Sequence, residues 1–287
     1  MLKTKKQIIE DLKLIDVVVE IVDARIPISS QNPDIHEIIN NKKRIVLLNK
    51  FDLADEKQNK LWIQHFKNQN IVALLTNSNT GIGINNVFRE IENIMKEDLE
   101  KNASKGRTGK IIRVLVLGIP NVGKSSFINR ISNKTSAVVG NKPGVTRQKQ
   151  WIRAASNIEI LDTPGVLWPK FEREEVALNL AYTGSIKDDV LEKTEIAYNL
   201  LKFLLNNYID NVIEKYKLNK EDILDILSNE NQAENENIYE IMILIGKRRG
   251  AIISGGNVDE EKTAGIILDD FRTGKLGKIT LEKVITK

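Results

Sequence analysis

The chain has 287 residues and a formal net charge of +4, and it contains no cysteine. Its 41% hydrophobic and 29% charged residues are typical of a globular protein, and the length suits one large domain or two ordinary ones. The absence of cysteine excludes a disulfide framework and a thiolate site. No apolar run reaches the length of a membrane span, and the N-terminus lacks the pattern of a secretory signal, so we expect a cytoplasmic protein.

The first hundred residues alternate between helix and strand patterns. Residues 4–15 predict an amphipathic helix, with Ile8, Ile9, Leu12 and Ile15 on one side. A charged stretch with two glycines, 98–110, predicts an exposed linker. The other predicted elements are strands at 16–27, 44–52 and 71–78 and helices at 34–41, 56–69 and 84–97.

The next stretch contains a strand, a glycine loop and a helix in immediate succession. IIRVLVL (111–117) predicts a buried strand, and a helical pattern begins after Ser125. A polar loop (134–148) and a predicted strand pair (150–155 and 157–165) follow. Strands that alternate with helices favour an α/β fold with a mostly parallel sheet and helices on both faces.

The pattern changes after about residue 180, which predicts domains at 1–180 and 181–287. The second part is mainly helical, and its first long helix has apolar residues at helical spacing from Val190 to Tyr208. Further helices are predicted at about 221–228, 237–246 and 259–271. Residues 1–181 hold 28 Lys and Arg against 20 Asp and Glu, so the first part is basic and the second is acidic.

The glycine loop matches the phosphate-binding pattern G-x-x-x-x-G-K-S/T from Gly118 to Ser125. Gly118 and Gly123 let the backbone curl so that its N–H groups face an anion. Lys124 is placed to reach the β- and γ-phosphates, and the Ser125 hydroxyl can hold Mg²⁺. The predicted phosphate-contacting set is Asn121, Val122, Gly123, Lys124, Ser125 and Ser126.

Asn49-Lys50-Phe51-Asp52 follows an apolar strand and fits N-K-x-D, the element that recognises guanine in GTPases. The Asp52 carboxylate can accept both edge donors of guanine, whereas adenine would leave it mismatched. Asn49 can bond the base and its own loop, and the Lys50 stem can lie over the ring. Asn77-Ser78, after the next strand, either offers a backbone N–H to the guanine oxygen or caps a helix.

Two further elements complete the set of nucleotide motifs. Asp162-Thr163-Pro164-Gly165 fits D-x-x-G, in which the acid orders the Mg²⁺ water shell and the Gly165 N–H senses the γ-phosphate. Thr146, in the polar loop between the phosphate loop and this motif, is the candidate for a second hydroxyl on Mg²⁺.

The order of these motifs differs from that of an ordinary GTPase, because N-K-x-D and Asn77-Ser78 precede the phosphate loop. The sequence therefore predicts a circularly permuted, Ras-like P-loop GTPase domain. The linker at 98–110 would join the usual termini, and the switch segment at 162–170 would lead directly into the helical part.

With these residues assembled, the chain resembles the circularly permuted ribosome-biogenesis GTPase A family (YlqF/RbgA type). DARIPISSQNP, NKFDLAD, GIPNVGKSSFINR, VGNKPGVT, LDTPGVLWPKF, GKRRG and DFRTGKLG carry the resemblance over nearly the whole chain. It implies a slow GTPase that acts in late assembly of the large ribosomal subunit and is a monomer away from the ribosome. The implied cofactors are GTP or GDP and Mg²⁺, and Lys124, Thr146 and Asp162 carry the chemistry.

The family's water-positioning histidine has no counterpart here, because the N-terminal Trp-Phe-Pro-Gly-His stretch is missing and Met1 falls after it. Val166 stands where Ras-like enzymes carry a glutamine, and a valine cannot orient water. His36 and His65 lie in predicted helices away from any motif. We therefore expect the chain as given to bind GTP well and hydrolyse it poorly.

Three questions stay open at the level of sequence. Asn121 either helps to bind K⁺ beside the phosphates or only braces the loop. Guanine-nucleotide-dependent binding with little turnover, or regulation of a non-ribosomal partner, are the alternative functions. The basic clusters of the helical part either contact rRNA phosphates or form a solvated surface: Lys247, Arg248, Arg249, Arg272, Lys275 and Lys278.

Overall fold

The computed structural model describes residues 8–33, 38–39, 42–134, 151–162, 173–186, 192–229 and 233–284. Its described residues form one mixed sheet of six strands in the order β3-β2-β1-β4-β6-β5. The strands are β1 (Val17–Asp23), β2 (Lys43–Asn49), β3 (Val72–Thr76), β4 (Ile112–Leu117), β5 (Trp151–Ala155) and β6 (Ile158–Asp162).

Five of the strands are parallel, and β5 pairs antiparallel with β6. β4, which leads into the phosphate loop, lies between β1 and β6. Every residue of β1 is buried, so both faces of the sheet are covered at its centre. The prediction of a mostly parallel α/β sheet with permuted strand order is confirmed.

The helices of this first part connect the parallel strands. Residues 8–12 are helical, and Ile8 and Leu12 are buried as predicted. Ile9 was predicted to share their buried face, but it is 48% exposed. The long helix α2 (Ile84–Ala103) ends six residues later than predicted, so residues 104–111 alone connect it to β4. These helices are α1 (Glu56–Asn68), α2 (Ile84–Ala103) and α3 (Lys124–Lys134), and Phe51–Leu53 forms a 3₁₀ turn.

Among the described residues of this part, two apolar clusters pack helices onto the sheet. One packs the N-terminal helical turn, through Ile8 and Leu12, against Val18, Leu115 and Leu161 of three strands. The other packs Trp62 and Phe66 of α1 against Val46, Leu48 and neighbouring strand residues. Each side chain of this size contributes about 1.5–3 kcal/mol when it is fully buried, so the clusters fix the helices on the sheet.

The second part is helical in all its longer elements. Along α5 (Lys193–Asn207) the buried residues recur three and four positions apart, from Ile196 to Leu205, because one face of the helix packs inward. Across the described residues no helix combines the length and the apolarity that a membrane span requires. The helices are α4 (Glu174–Tyr182), α5 (Lys193–Asn207), α6 (Ile209–Tyr216), α7 (Lys220–Leu227), α8 (Glu234–Arg248) and α9 (Glu260–Arg272).

The chain divides into two compact units whose bounds differ from the expected 1–180 and 181–287. One unit comprises Met1–Phe171 together with Thr280–Lys287, and the other is Glu172–Ile279. The expected boundary cuts through α4, whose terminal carbonyls at Ala181 and Tyr182 accept bonds from Arg272 at 2.8 and 3.1 Å. The last described residues, 280–284, return to the sheet-containing unit.

Candidate functional site

Three loops leave the carboxyl ends of parallel strands in one sheet, the edge at which α/β sheets bind ligands. Residues 118–123 follow β4, residues 50–53 follow β2 and residues 77–83 follow β3. All three belong to the sheet-containing unit. The structure therefore places the phosphate loop, N-K-x-D and Asn77-Ser78 at the same edge of one sheet.

The phosphate loop depends on two glycines with no room for a side chain. A Cβ on Gly118 would lie 2.9 Å from the Ile21 carbonyl oxygen, and one on Gly123 would lie 2.2 Å from Asn49 Nδ2. Gly123 also has a φ of +99°, and Asn121 a left-handed φ of +64°. The loop is thus closely packed against β1 and the Asn49 amide.

The Asn49 side chain joins all three loops. Its Nδ2 donates to the Val122 carbonyl oxygen at 2.6 Å, and its Oδ1 accepts from the Ser78 N–H and hydroxyl at 2.9 Å each. The Thr76 hydroxyl also donates to Oδ1, at 3.3 Å. Because Asn49 is only 2% exposed, these bonds are shielded from water and set the positions of the loops.

Lys50 is held by a buried ion pair that the sequence analysis did not assign to the site. Arg25 donates from Nε and Nη2 to the two oxygens of Asp23 at 2.9 and 2.8 Å, and Lys50 Nζ donates to Asp23 Oδ2 at 3.0 Å. Asp23 and Arg25 are each 1% exposed. The signal available in the sequence was a pair of opposite charges, Asp23 and Arg25, at the end of a mostly apolar strand.

The electrostatics of this network stabilise the charged form of Asp23. Burial acts to raise the pKa of Asp23, but the charges of Arg25 and Lys50 and the Arg25 hydrogen bonds hold it well below its usual range. Lys50 adopts a left-handed φ of +59°, which a non-glycine residue rarely does. The Asp23 carboxylate thus fixes a strained residue at the start of the loop 50–53.

The loop after β3 is braced internally and by α3. Asn77 Oδ1 accepts from the Asn79 and Thr80 N–H groups at 2.9 Å, and Arg130 donates to the Asn79 carbonyl oxygen. A Cβ on Gly81 would lie 3.1 Å from the Arg130 guanidinium. Asn77 and Ser78 are both buried, so this loop is an ordered wall beside Asn49.

The remaining groups that were predicted to touch nucleotide differ in exposure. Asp52 and Ser125 are exposed, Phe51 and Ser126 are partly buried, and Lys124 is 9% exposed. Ser125 lies in the first turn of α3, where the helix N-terminus favours anions. The Asp52 side chain is therefore accessible to a ligand, whereas the Asn49 side chain is buried.

Part of the predicted site lies outside the described residues: Thr146, Gly165 and the Asp162 side chain. Val166 and His36, which were not predicted to bind nucleotide, also lie outside them. The Asp162 backbone ends β6, beside the phosphate-loop strand, in register with Val116. His65 lies on α1, where its ring packs edge-on against Trp62 and Phe66. Its Nε2 is 2.9 Å from Gln69 Nε2, away from the three loops.

The six basic residues that were predicted to contact RNA have different surroundings. Arg272 is partly buried and donates to carbonyl oxygens of α4. Lys275 Nζ lies 3.0 Å from Asp269 Oδ2, and Arg249 lies 3.9 Å from Asp270 Oδ2. All six except Arg272 are nevertheless exposed. The cluster therefore combines structural and solvent-facing charges.

Comparison with known proteins identifies the family. Ribosome biogenesis GTPase A of Bacillus cereus is 44% identical over 282 residues, which span 98% of this chain and 91% of that protein. The chain belongs to the ribosome biogenesis GTPase A family. A family model described as 50S ribosome-binding GTPase also matches residues 113–245.

Solved structures of YlqF agree with this family assignment. A GDP-bound YlqF structure matches with a TM-score of 0.66 and 26% identity over 96% of this chain and 98% of that chain. A GNP-bound YlqF from T. maritima matches with a TM-score of 0.63 and 25% identity over 98% of each chain. The fold of the chain thus agrees with its membership of the ribosome biogenesis GTPase A family.

Proposed function

We propose that the protein is a GTP-hydrolysing assembly factor that acts at a late step of large ribosomal subunit maturation. The observation that carries the nucleotide part is the Asn49 junction, which joins N-K-x-D, the loop after β3 and the phosphate loop. The ribosomal part is supported by the names of the relatives and of the matching family model. Neither alternative function has such support.

In this proposal each loop has one task. Asp52 accepts from the guanine edge, the Lys50 stem lies along the ring, and Asn77-Ser78 closes the site. Residues 121–126 and the N-terminus of α3 hold the phosphates, where Lys124 stabilises developing charge. Gly165 senses the γ-phosphate.

Mg²⁺ suits the oxygen ligands that this proposal offers: the hydroxyls of Ser125 and Thr146, and Asp162 through water. Ser125 fits the role because it is exposed at the start of α3, directly after the closely packed loop. When bound, the ion would neutralise part of the phosphate charge.

The base-reading assignment is tested with Asp52→Ala. We expect the variant to lose about 1–3 kcal/mol of GDP binding, since the donors of guanine lose a charged acceptor. Competition of GDP and ADP against fluorescent GDP measures this, and Glu92→Ala, an exposed carboxylate on α2, is the control. If ADP competes as well as GDP with the unmodified chain, the assignment is wrong.

We also propose that Asn121 helps to hold K⁺ beside the phosphates. Its exposed position and left-handed backbone place it at the rim of the phosphate loop. A monovalent cation there supplies positive charge to the transferring phosphoryl group, in part replacing an arginine finger. The proposal requires faster hydrolysis in KCl than in NaCl, and equal rates would refute it.

We propose that hydrolysis by the isolated chain is slow, because Val166 cannot orient the attacking water. The missing positioning acts in the transition state, so kcat falls more than nucleotide affinity. Single-turnover hydrolysis with and without large subunits measures the difference. Rates that are equal in the two conditions contradict the proposal.

The partner assignment is tested by sedimentation with large ribosomal subunits. We expect co-sedimentation with a non-hydrolysable GTP analogue and release with GDP, because the γ-phosphate orders the switch segment. In this proposal the chain works in the cytoplasm and is a monomer when unbound. Failure to co-sediment in either nucleotide state favours a regulatory GTPase with another partner.

For the helical unit we propose rRNA contact through the basic cluster, led by the exposed Lys247 and Arg248. Replacing both with alanine should weaken subunit binding and reduce the salt slope by about 0.7–0.9 per lost phosphate contact. Lys220→Ala on α7, also exposed, is a charge-matched control. An unchanged salt slope identifies a solvated surface.

A further inference from the structure

The last described residues, 280–284, form a segment that we name the C-terminal strap. Thr280 is fully buried and Leu281 is 8% exposed, and Val284 packs against the apolar cluster around Trp62. The strap follows the helical unit in sequence but belongs to the sheet-containing unit. Its burial shows that it is a structural part of the GTPase unit.

The strap bonds to the turn that follows β1. The Leu281 N–H donates to the Arg25 carbonyl oxygen at 2.9 Å. The Glu282 carboxylate accepts from the N–H groups of Ile28 and Ser29 at 2.6 and 2.8 Å, and from the Ser29 hydroxyl. One carboxylate thus holds this turn through three donors.

The strap also bonds to the segment that follows β2. The Asp55 N–H donates to the Thr280 hydroxyl at 3.0 Å, just before α1 begins. Trp62 Nε1 donates to the Glu282 carbonyl oxygen at 2.9 Å, and the Val284 N–H donates to Gln58 Oε1 at 3.0 Å. These bonds hold α1, which begins four residues after Asp52.

The two segments that the strap joins are the supports of the base-reading loop. Arg25 holds Asp23, and Asp23 holds Lys50 in its left-handed conformation. On the other side, the 3₁₀ turn Phe51–Leu53 connects Asp52 to the start of α1. A shift of either segment therefore moves the loop that presents Asp52.

We propose that the strap is a positioning element of the guanine site, with Glu282 as its main positioning residue. The inference rests on the proposed base-reading role of Asp52. The strap sets the spacing between the Arg25 turn and α1, and so aligns the Asp52 carboxylate with the guanine edge. A segment about 230 residues from Asp52 thereby contributes to base specificity.

The test compares GDP with inosine diphosphate, which lacks only the 2-amino group of guanine. The ratio of the two affinities reports how well Asp52 meets both edge donors. In the full chain, we expect Glu282→Ala to lower this ratio about three- to thirtyfold, which lies within the coupling found in one hydrogen-bonded network. Glu282→Gln, which keeps one acceptor oxygen, should have a smaller effect.

A merely structural role gives a different result. If the strap only stabilises the fold, Glu282→Ala lowers both affinities by one factor and leaves the ratio unchanged, which overturns the proposal. Thr280→Val, a substitution of similar shape that removes the acceptor for Asp55, should lower the ratio as well. Glu92→Gln on α2 is the control, and circular dichroism verifies that each variant is folded.

The Asp52→Ala variant separates the two proposals. If it abolishes the preference for GDP over inosine diphosphate and Glu282→Ala does not change it, only the strap inference fails. If Asp52→Ala itself leaves the ratio unchanged, the base-reading role fails. A reduced ratio in Asp52→Ala and in both strap variants supports the whole assignment.

Discussion

At the scale of single residues, the most consequential feature is the Asp23–Arg25 pair beneath Lys50. Both side chains are 1% exposed, so protein groups rather than water stabilise their charges, and each is a main partner of the other. A buried pair adds little net stability, but the loss of one partner leaves the other charge uncompensated. The pair therefore tolerates substitution poorly.

We predict that Asp23→Asn lowers the free energy of unfolding of the sheet-containing unit by about 3–5 kcal/mol, because Arg25 stays charged and buried. The helical unit, Glu172–Ile279, contains no tryptophan, so urea unfolding followed by fluorescence reports on the sheet-containing unit. Glu97→Gln removes an exposed ion pair on α2 and should leave the midpoint unchanged. Equal midpoints for the three proteins would contradict the prediction.

The same residue predicts a pH dependence. The pKa of Asp23 is lower in the folded chain than in the unfolded chain, so its stabilisation is present above about pH 4. It is lost as the pH falls from there towards the folded pKa, because the unfolded state binds the proton first. Urea midpoints between pH 6 and 3 should fall more steeply for the unmodified chain than for Asp23→Asn.

At the scale of elements, the connection between β3 and α2 is tightly constrained. Gly83, with a φ of +84°, precedes the first residue of α2, and a Cβ there would lie 2.2 Å from the Leu75 carbonyl oxygen. The Asn77 N–H donates to the Ile82 carbonyl oxygen at 3.0 Å within the same turn. Only glycine fits at this position, because the start of α2 lies so close to β3.

Gly83→Ala should lower the stability of the sheet-containing unit by more than about 3 kcal/mol, since backbone must move as well as adopt a strained φ. Gly109→Ala is the matched control, because Gly109 has a φ of +78° but no atom within 4 Å of its Cβ position. It should lose only about 1–2 kcal/mol. Similar urea midpoints for the two variants would show that the close approach of Gly83 to the Leu75 carbonyl oxygen does not affect stability.

At the scale of the whole molecule, the helical unit is an insertion between two parts of the GTPase unit. The chain passes from one unit to the other near residue 172 and returns at Thr280. The C-terminal strap carries buried apolar groups and several hydrogen bonds. It therefore stabilises the turn after β1 and the start of α1.

A chain that ends at Ile279 should therefore lose at least about 3 kcal/mol of stability in the sheet-containing unit. Its tryptophan fluorescence should change at a lower urea concentration than that of the full chain. Circular dichroism in the same titration, to which helices α4–α9 contribute, is the internal control. A single transition that is unchanged by the truncation would show that the strap is dispensable.

The sequence by itself determined the nucleotide motifs, their permuted order and the parallel sheet. Each is encoded locally: the apolar run before Gly118, the glycines that permit the loop, and the polar residues Asn49 and Asp52 after a strand. The end of α2 was missed, because charged residues such as Asp98 suit an exposed helix face as well as a linker. Local patterns fix element type better than element ends.

Only the tertiary structure decided which polar groups meet. The Asn49 side chain bonds Val122 and Ser78, Asp23 holds Lys50, and Glu282 reaches a turn more than 250 residues before it. These partners are set by the register of parallel strands and by the return of the chain after the helical unit. Neither is visible in local spacing, because such contacts form between segments that are distant in sequence.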